Sequence, residues 1–264
     1  MGMNVDDEIK YEVRDRIAIV TINRPAKKNA MTYQALAKFR AGLKKGADDA
    51  DVLAIIITGE GGAFCAGTDL SNLNDTKPSE RGNSAADDEA PWPWMVASCP
   101  KPVIAAIDGP AVGMGADIAT QADIRVASTT ARIAWNFVHR GLVPDTGAGS
   151  YLLPQQVGLP TALRLVLSGD FINAEEAQRI GFVQDVVPSE ELLERALTEA
   201  KHVSQGSPFA AKLAKQLIYG GLGRSADEHL TAHREALTAC FASEDHKEGV
   251  ASFLERRPAN FTGR

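Results

Sequence analysis

Cysteine is scarce: the 264 residues hold three, Cys65, Cys99 and Cys240, none in CxxC spacing. That excludes a disulfide framework or a zinc ribbon and fits a reducing compartment, so the expected location is cytoplasmic. Nor is there an excess of basic charge. Lys and Arg number 28 against 34 Asp and Glu, a formal charge of −6, and the basic residues are scattered. Such a chain carries no electrostatic footprint for a phosphate backbone, so nucleic acid is not an expected partner. No stretch approaches the ~18 uninterrupted apolar residues of a spanning helix, and Met1 to Lys10 is acidic and polar, so neither a membrane span nor a secretory leader is expected. Internal repeats and sustained heptads are also lacking. Nucleotide-binding motifs are missing too. No GxxxxGK[ST] loop occurs, and Gly113-x-Gly115 is followed by Asp117 and Ile118 without the third glycine of a dinucleotide fingerprint.

What is present is enough hydrophobic residue, 44%, to bury one substantial core. Ile17 to Ile22 reads IAIVTI, a continuous β-branched run of the kind that forms a strand covered on both faces. Asn23-Arg24-Pro25 ends it. Thr32 then has the chemistry of an N-cap, and Leu36, Phe39 and Leu43 fall at helical spacing, predicting a helix to about Gly46. Leu53 to Gly59 and Val103 to Gly109 read as two more buried strands, each leaving into a glycine turn. An α/β fold with parallel strands joined by helices follows. Asn72 to Pro93, rich in Asn, Asp, Ser, Ala and Pro, reads as a mobile segment, suited to a lid. After a last strand signal at Phe182 to Val187, helical patterns run over Ser189 to Gln205, Pro208 to Tyr219, Ser225 to Phe241 and Asp245 to Arg256. The expected division is therefore a core over 1–203 and a helical region over 204–264.

Two small-residue loops leave buried strands. Gly59 to Leu70 reads GEGGAFCAGTDL, and Gly109 to Asp117 reads GPAVGMGAD. Each can present backbone N–H groups to a ligand, and each can equally be an ordinary strand-to-helix connection. His229 and His233 stand i, i+4, but no HExxH glutamate or third ligand accompanies them, so solvated or core histidines are expected and no metal is assigned. Cys65 lies inside the first loop without a histidine nearby, which suits packing better than nucleophilic attack. Trp92 and Trp94, alternating with prolines, fit either an acyl-pocket lining or a loop anchor.

Four blocks, INRPAKKNAMT (22–32), IIITGEGGAFCAGTDL (55–70), KPVIAAIDGPAVGMGADIA (101–119) and GLVPDTGAG (141–149), resemble the crotonase (enoyl-CoA hydratase/isomerase) superfamily in kind, order and spacing. The likeness runs through DHKEGVASFLERRPANFTGR at the end. It implies a crotonase-like spiral of ββα units with a C-terminal helical trimerisation region, assembled as a trimer or a dimer of trimers. It implies an acyl-CoA thioester substrate, with coenzyme A part of that substrate and no separate cofactor. Carried across by position, the N–H groups of Thr68 and Met114 would polarise the thioester carbonyl and hold an enolate, and one such donor is worth about 3–4 kcal/mol. CoA would run past the turn holding Arg24, Lys28 and Ala30 and past Ala66, Thr68, Asp69 and Leu70. Gly113, Met114 and Phe137 complete the binding set, with Asp69 expected to orient its loop.

The acids decide the reaction. Hydratases of the family use two carboxylates, because water must be activated at Cβ while a proton goes to Cα. This chain has Asp117 at the first position and Phe137 at the second. Asp145 falls where dienoyl-CoA and 1,2-epoxyphenylacetyl-CoA isomerases of the family place a catalytic Asp; FCAG-x-DL, SYLLP and the EGV-x-x-FL-x-(K/R)R ending also resemble the latter. One carboxylate suffices to move a proton between two carbons, so the resemblance points to isomerase chemistry with Asp145 as the base. A hydratase using Asp117 and Asp145 is the alternative, and an acyl-CoA binder without turnover the third. From local chemistry alone, Asp145 before Thr146-Gly147 is simply a helix N-cap.

Overall fold

A computed structural model describes residues 8–69 and 94–264. The predicted lid, with Leu70 and Trp92, lies outside these residues.

Six strands form the main sheet: β1 (Ile9–Arg14), β2 (Ile17–Ile22), β3 (Ala54–Gly59), β4 (Val103–Ile107), β6 (Ile124–Ser128) and β9 (Asp185–Val187), side by side in that order. Only the β1–β2 hairpin is antiparallel; the other pairings are parallel. The apolar runs of β2, β3 and β4 are explained by what covers them. Ala18, Val20, Ile22, Ile55, Ile57, Ala105 and Ile107 face the core that holds Leu36, Phe39 and Leu43 of α1 (Tyr33–Asp48). Their alternates, Ile17, Ile19, Ala54, Ile56, Ile104 and Ala106, face Leu192, Ala196, Leu197 and Ala200 of α6 (Leu192–Val203). With both faces dry, the strands alternate between two buried environments, and the sequence reads as continuous.

Thr32 caps α1 as its sequence predicts, its Oγ1 accepting from Ala35 N at 3.1 Å, and the helix runs two residues beyond Gly46. A second sheet of three short strands, β5 (Pro110–Val112), β7 (Arg132–Ala134) and β8 (Ile172–Asn173), stands beside the first in the order β5-β7-β8. Helix α2 (Met114–Gln121) follows β5 and is buried along its whole length. The chain continues through a 3-10 turn (Asn136–Arg140), α3 (Ala148–Val157), α4 (Leu159–Ser168) and α5 (Ala174–Arg179).

The strand predicted from Phe182 pairs only from Asp185. Phe182 and Val183 instead insert into the core, their N–H groups bonded to the Ala177 carbonyl that ends α5. Residues Ser189–Glu191 form a 3-10 turn before α6, so the long pattern to Gln205 is two elements. Three helices close the chain: α7 (Pro208–Gly221), α8 (Ala226–Ala242) and α9 (Glu244–Glu255). Lys215 and Tyr219 of α7 anchor to Asp123, at 2.7 and 3.0 Å. α8 starts on a full capping box, Ser225 with Glu228, yet buries none of its residues. Among the described residues no helix is long and apolar enough to cross a membrane.

Candidate active site

Three stretches far apart in sequence meet because two isolated bridges tie them: Met31 with Thr68, and Cys65 with Ala111. Met31 N–H donates to Gly67 O and Met31 O accepts from Asp69 N, both at 2.8 Å. These bonds use the residues flanking Thr68, so the N–H of Thr68 itself points away from Met31. On the other loop, Gly113 takes φ 54°, ψ −118°, a conformation open to glycine, and turns the chain so that Met114 becomes the first residue of α2. A first-turn N–H has no intrahelical acceptor, and it lies at the positive end of the helix dipole. Neither the Thr68 nor the Met114 N–H is engaged by a hydrogen bond among the described residues. The loops are in close contact: a Cβ added at Gly67 would lie 3.8 Å from Met114 N, and one at Gly115 would lie 2.1 Å from the Cys65 carbonyl oxygen.

A cavity of about 30 Å³ opens here, lined by Met31, Thr32, Tyr33, Leu36, Thr68, Met114 and Asp145. About 10–15 Å³ is enough for a water, so the space suits one or two small polar groups such as a carbonyl oxygen. Asp145 keeps solvent access, yet protein crowds its carboxyl. Desolvation pushes that carboxyl up to about 6, against the lowering effect of its own and the Thr146 N–H.

Asp145 is not a helix cap. The N-cap of α3 is Gly147, in the left-handed region at φ 77°, with no side-chain cap bond. Thr146 supplies the local bond instead, its Oγ1 accepting from Ala148 N at 3.2 Å.

Asp117 is fully buried and does not line the cavity among the described residues. Its Oδ2 accepts from Thr146 Oγ1 at 2.6 Å. Burial first, and the charge of Asp145 as a further raising contribution, push it up to about 7 against the lowering effect of the Thr146 hydroxyl and of the Thr146 and Gly149 N–H groups. Phe137 is buried in the core with its ring edge against Gly113, so the position where a second carboxylate would stand is apolar.

The expected binding residues divide by role. Arg24 is committed to protein: it pairs with Glu8 (3.2 Å) and Asp69 (3.0 Å) and donates to the Ala30 carbonyl. Asp69 thereby orients its loop. Lys28 is exposed, and its carbonyl accepts from Ala66 N at 3.0 Å, which sets the basic turn alongside the Thr68 segment. Cys65 is buried, and desolvation pushes its thiol up to about 12, which leaves it un-ionised and suited to packing. Trp94 is an anchor: its ring stacks on Tyr151 with centroids 5.2 Å apart, and its Nε1 donates to Thr146 O at 3.0 Å. His229 is half-buried beside Gly221 and His233 is exposed. Among the described residues no group of three or more His, Cys, Asp or Glu is placed to hold a metal ion. Sequence reasoning missed Tyr33 and Thr146. Tyr33 follows the capping threonine, which is the only signal that it sits where α1 starts at the cavity.

A buried, mostly parallel sheet, a small second sheet and two glycine-turned loops meeting at one cavity define a crotonase-like fold. The enoyl-CoA hydratase/isomerase family signature matches residues 12–264. The chain belongs to that family. It is 36% identical over 258 residues to a probable enoyl-CoA hydratase, echA8, of Mycobacterium bovis, covering 98% of this chain and 99% of the relative. It is 34% identical over 259 residues to the 1,2-epoxyphenylacetyl-CoA isomerase of Escherichia coli K12, covering 97% and 98%. The crystal structure of an enoyl-CoA hydratase from Mycobacterium tuberculosis H37Rv superposes with a TM-score of 0.87 at 32% identity, covering 97% of this chain and 99% of that one.

Proposed function

We propose that this enzyme isomerises an acyl-CoA thioester through an enolate, with Asp145 moving the proton. The observation that carries the reading is that Thr68, Met114 and Asp145 line one cavity. With the thioester oxygen between the two N–H groups, the Asp145 carboxylate takes a proton from the carbon next to the carbonyl. The electron pair moves onto oxygen, where the two donors hold it without reorganisation. Asp145 then gives a proton, the one it took or one exchanged with solvent, to a different carbon of the conjugated system, the carbonyl re-forms and the carboxylate is regenerated. A carboxyl near 6 is well matched to this work, since it is ionised at neutral pH yet a stronger base than an ordinary Asp. The CoA belongs to the substrate, and the shuttle calls for no other group. Exposed Lys28 is suited to meet the CoA phosphates.

A hydratase remains the second reading, because echA8 bears that name and Asp117 lies close enough to Asp145 to feel its charge. Against it stands Phe137, which leaves the cavity side without a second carboxylate among the described residues. The C-terminal helices expose Ile218, Phe241, Phe253 and Leu254, which supports assembly as a trimer or a dimer of trimers, to be measured by light scattering.

The test is incubation with enoyl-, dienoyl- and arylacetyl-CoA thioesters in D₂O, following exchange at Cα and product, for the parent and for Asp145→Asn. The variant keeps size and hydrogen bonding but not the base, so turnover falls by about 10²–10⁴-fold while thioester binding survives. Near-parental turnover by Asp145→Asn would refute the assignment.

A further inference from the structure

Asp117 is costly where it stands. Among the described residues this fully buried carboxyl has no cationic partner to offset its lost hydration, and its Oδ1 has no hydrogen-bond partner of good geometry. Oδ1 lies against Gly149, where an added Cβ would come within 2.5 Å of it. The fold has thus left out a side chain to admit this group. Its one strong bond, from the Thr146 hydroxyl, ends on the residue next to Asp145.

Asp145 itself has little to hold it. It occupies the second position of a turn closed by Gly147 N–H donating to Pro144 O at 3.1 Å, and the preceding Leu142 and Val143 are 56% and 78% exposed. Thr146 carries the restraints. Its hydroxyl donates to Asp117 and accepts from Ala148 N, and its carbonyl accepts from the Trp94 indole. Asp117 sits on α2, the same helix whose first N–H is that of Met114. The Asp117–Thr146 bond is therefore a direct strut between the element that would hold the oxyanion and the turn that would hold the base.

We propose that Asp117 and Thr146 are a positioning pair that sets Asp145 against the cavity, with Asp117 acting through Thr146 and never on substrate. This rests on the reading of Asp145 as the proton shuttle. It assigns the first carboxylate a role other than acid or base, in keeping with its place behind the cavity wall. It also predicts that hydrogen-bonding capacity at 117 matters while charge there does not.

Four variants of the full chain test it, with kcat and KM measured on a thioester the parent isomerises and folding followed by thermal unfolding. Thr146→Val keeps the shape and removes the strut, and kcat is expected to fall about 10–100-fold with KM within about 3-fold, the cost of a misplaced catalytic group. Thr146→Ser restores the hydroxyl and brings kcat back to within about 3-fold of the parent. Asp117→Asn still offers Thr146 an acceptor and keeps kcat within about 10-fold, whereas Asp117→Leu behaves like Thr146→Val. Should Asp117→Asn lose turnover as fully as Asp117→Leu, or Thr146→Val keep parental kcat, the positioning pair is overturned. Asp145→Asn, run alongside, separates that outcome from failure of the underlying reading: only if it retains turnover is Asp145 itself misassigned.

Discussion

Replacing Asp117 by Asn tests the electrostatics of the site through stability, independently of turnover. In the folded chain the Asp117 carboxyl is pushed up to about 7, mainly by burial, from the 3.8 it has in an exposed chain. The folded state therefore holds a proton that the unfolded state has already released. By linkage, the stability Asp117 contributes is fully present below about pH 4 and is lost as pH rises through about 7. At 1.36 kcal/mol per pKa unit the loss amounts to about 4 kcal/mol. Asn has no proton to lose, and its carbonyl still accepts the Thr146 hydroxyl bond. The variant should thus match the parent near pH 4.5 and exceed its unfolding free energy by a few kcal/mol at pH 8. Urea titrations followed by fluorescence of Trp135, which is buried in the core, would read the difference at half-unit pH steps. A difference between parent and variant that stays flat from pH 4.5 to 8 would refute the reasoning, because it would mean that Asp117 ionises as it does in water.

Gly115→Ala places a Cβ 2.1 Å from the Cys65 carbonyl, so the two loops must part; we expect turnover to drop at least about 10²-fold, as when an oxyanion donor is removed, read by single-turnover assay. Arg24→Met removes the cation that meets Asp69 at 3.0 Å and Glu8 at 3.2 Å, and should cost about 3 kcal/mol in chemical denaturation; a loss under about 1 kcal/mol would show the pairs to be incidental. Crotonyl-CoA hydration should stay below the roughly 10 s⁻¹ of a typical enzyme, since Phe137 and not a carboxylate stands beside Gly113; a rate above that would put the hydratase reading first. For isomerisation, kcat should fall as pH drops through about 6, where Asp145 takes up its proton, and a profile flat from pH 5 to 8 would count against Asp145 as the base.

Much of the scaffold is written locally. Ile17–Ile22 reads as a buried strand because all of its side chains but that of Thr21 enter one of two dry layers, and the structure gives the strand those same bounds. Thr32 signals a helix start because a short hydroxyl side chain competes for the first N–H groups whatever surrounds it. The motif blocks around Thr68, Met114 and Asp145 are equally local, since glycine turns and small residues leave a mark in sequence. β1 escaped notice because IKYEVR is half-polar and is held only by pairing along β2 at the sheet edge. The second sheet escaped because strands of two or three residues carry no periodicity. Asp145 resembles an N-cap by sequence, and only the left-handed Gly147 between it and α3 removes that role. Residues 33, 68, 114 and 145 share no local pattern that brings them together. Parallel pairing of β2, β3 and β4, with the Met31–Thr68 and Cys65–Ala111 bridges, is what makes them neighbours. Whether a carboxylate faces the cavity, as Asp145 does, or stands behind its wall, as Asp117 does, depends on that long-range pairing. Residue type alone leaves the two equivalent.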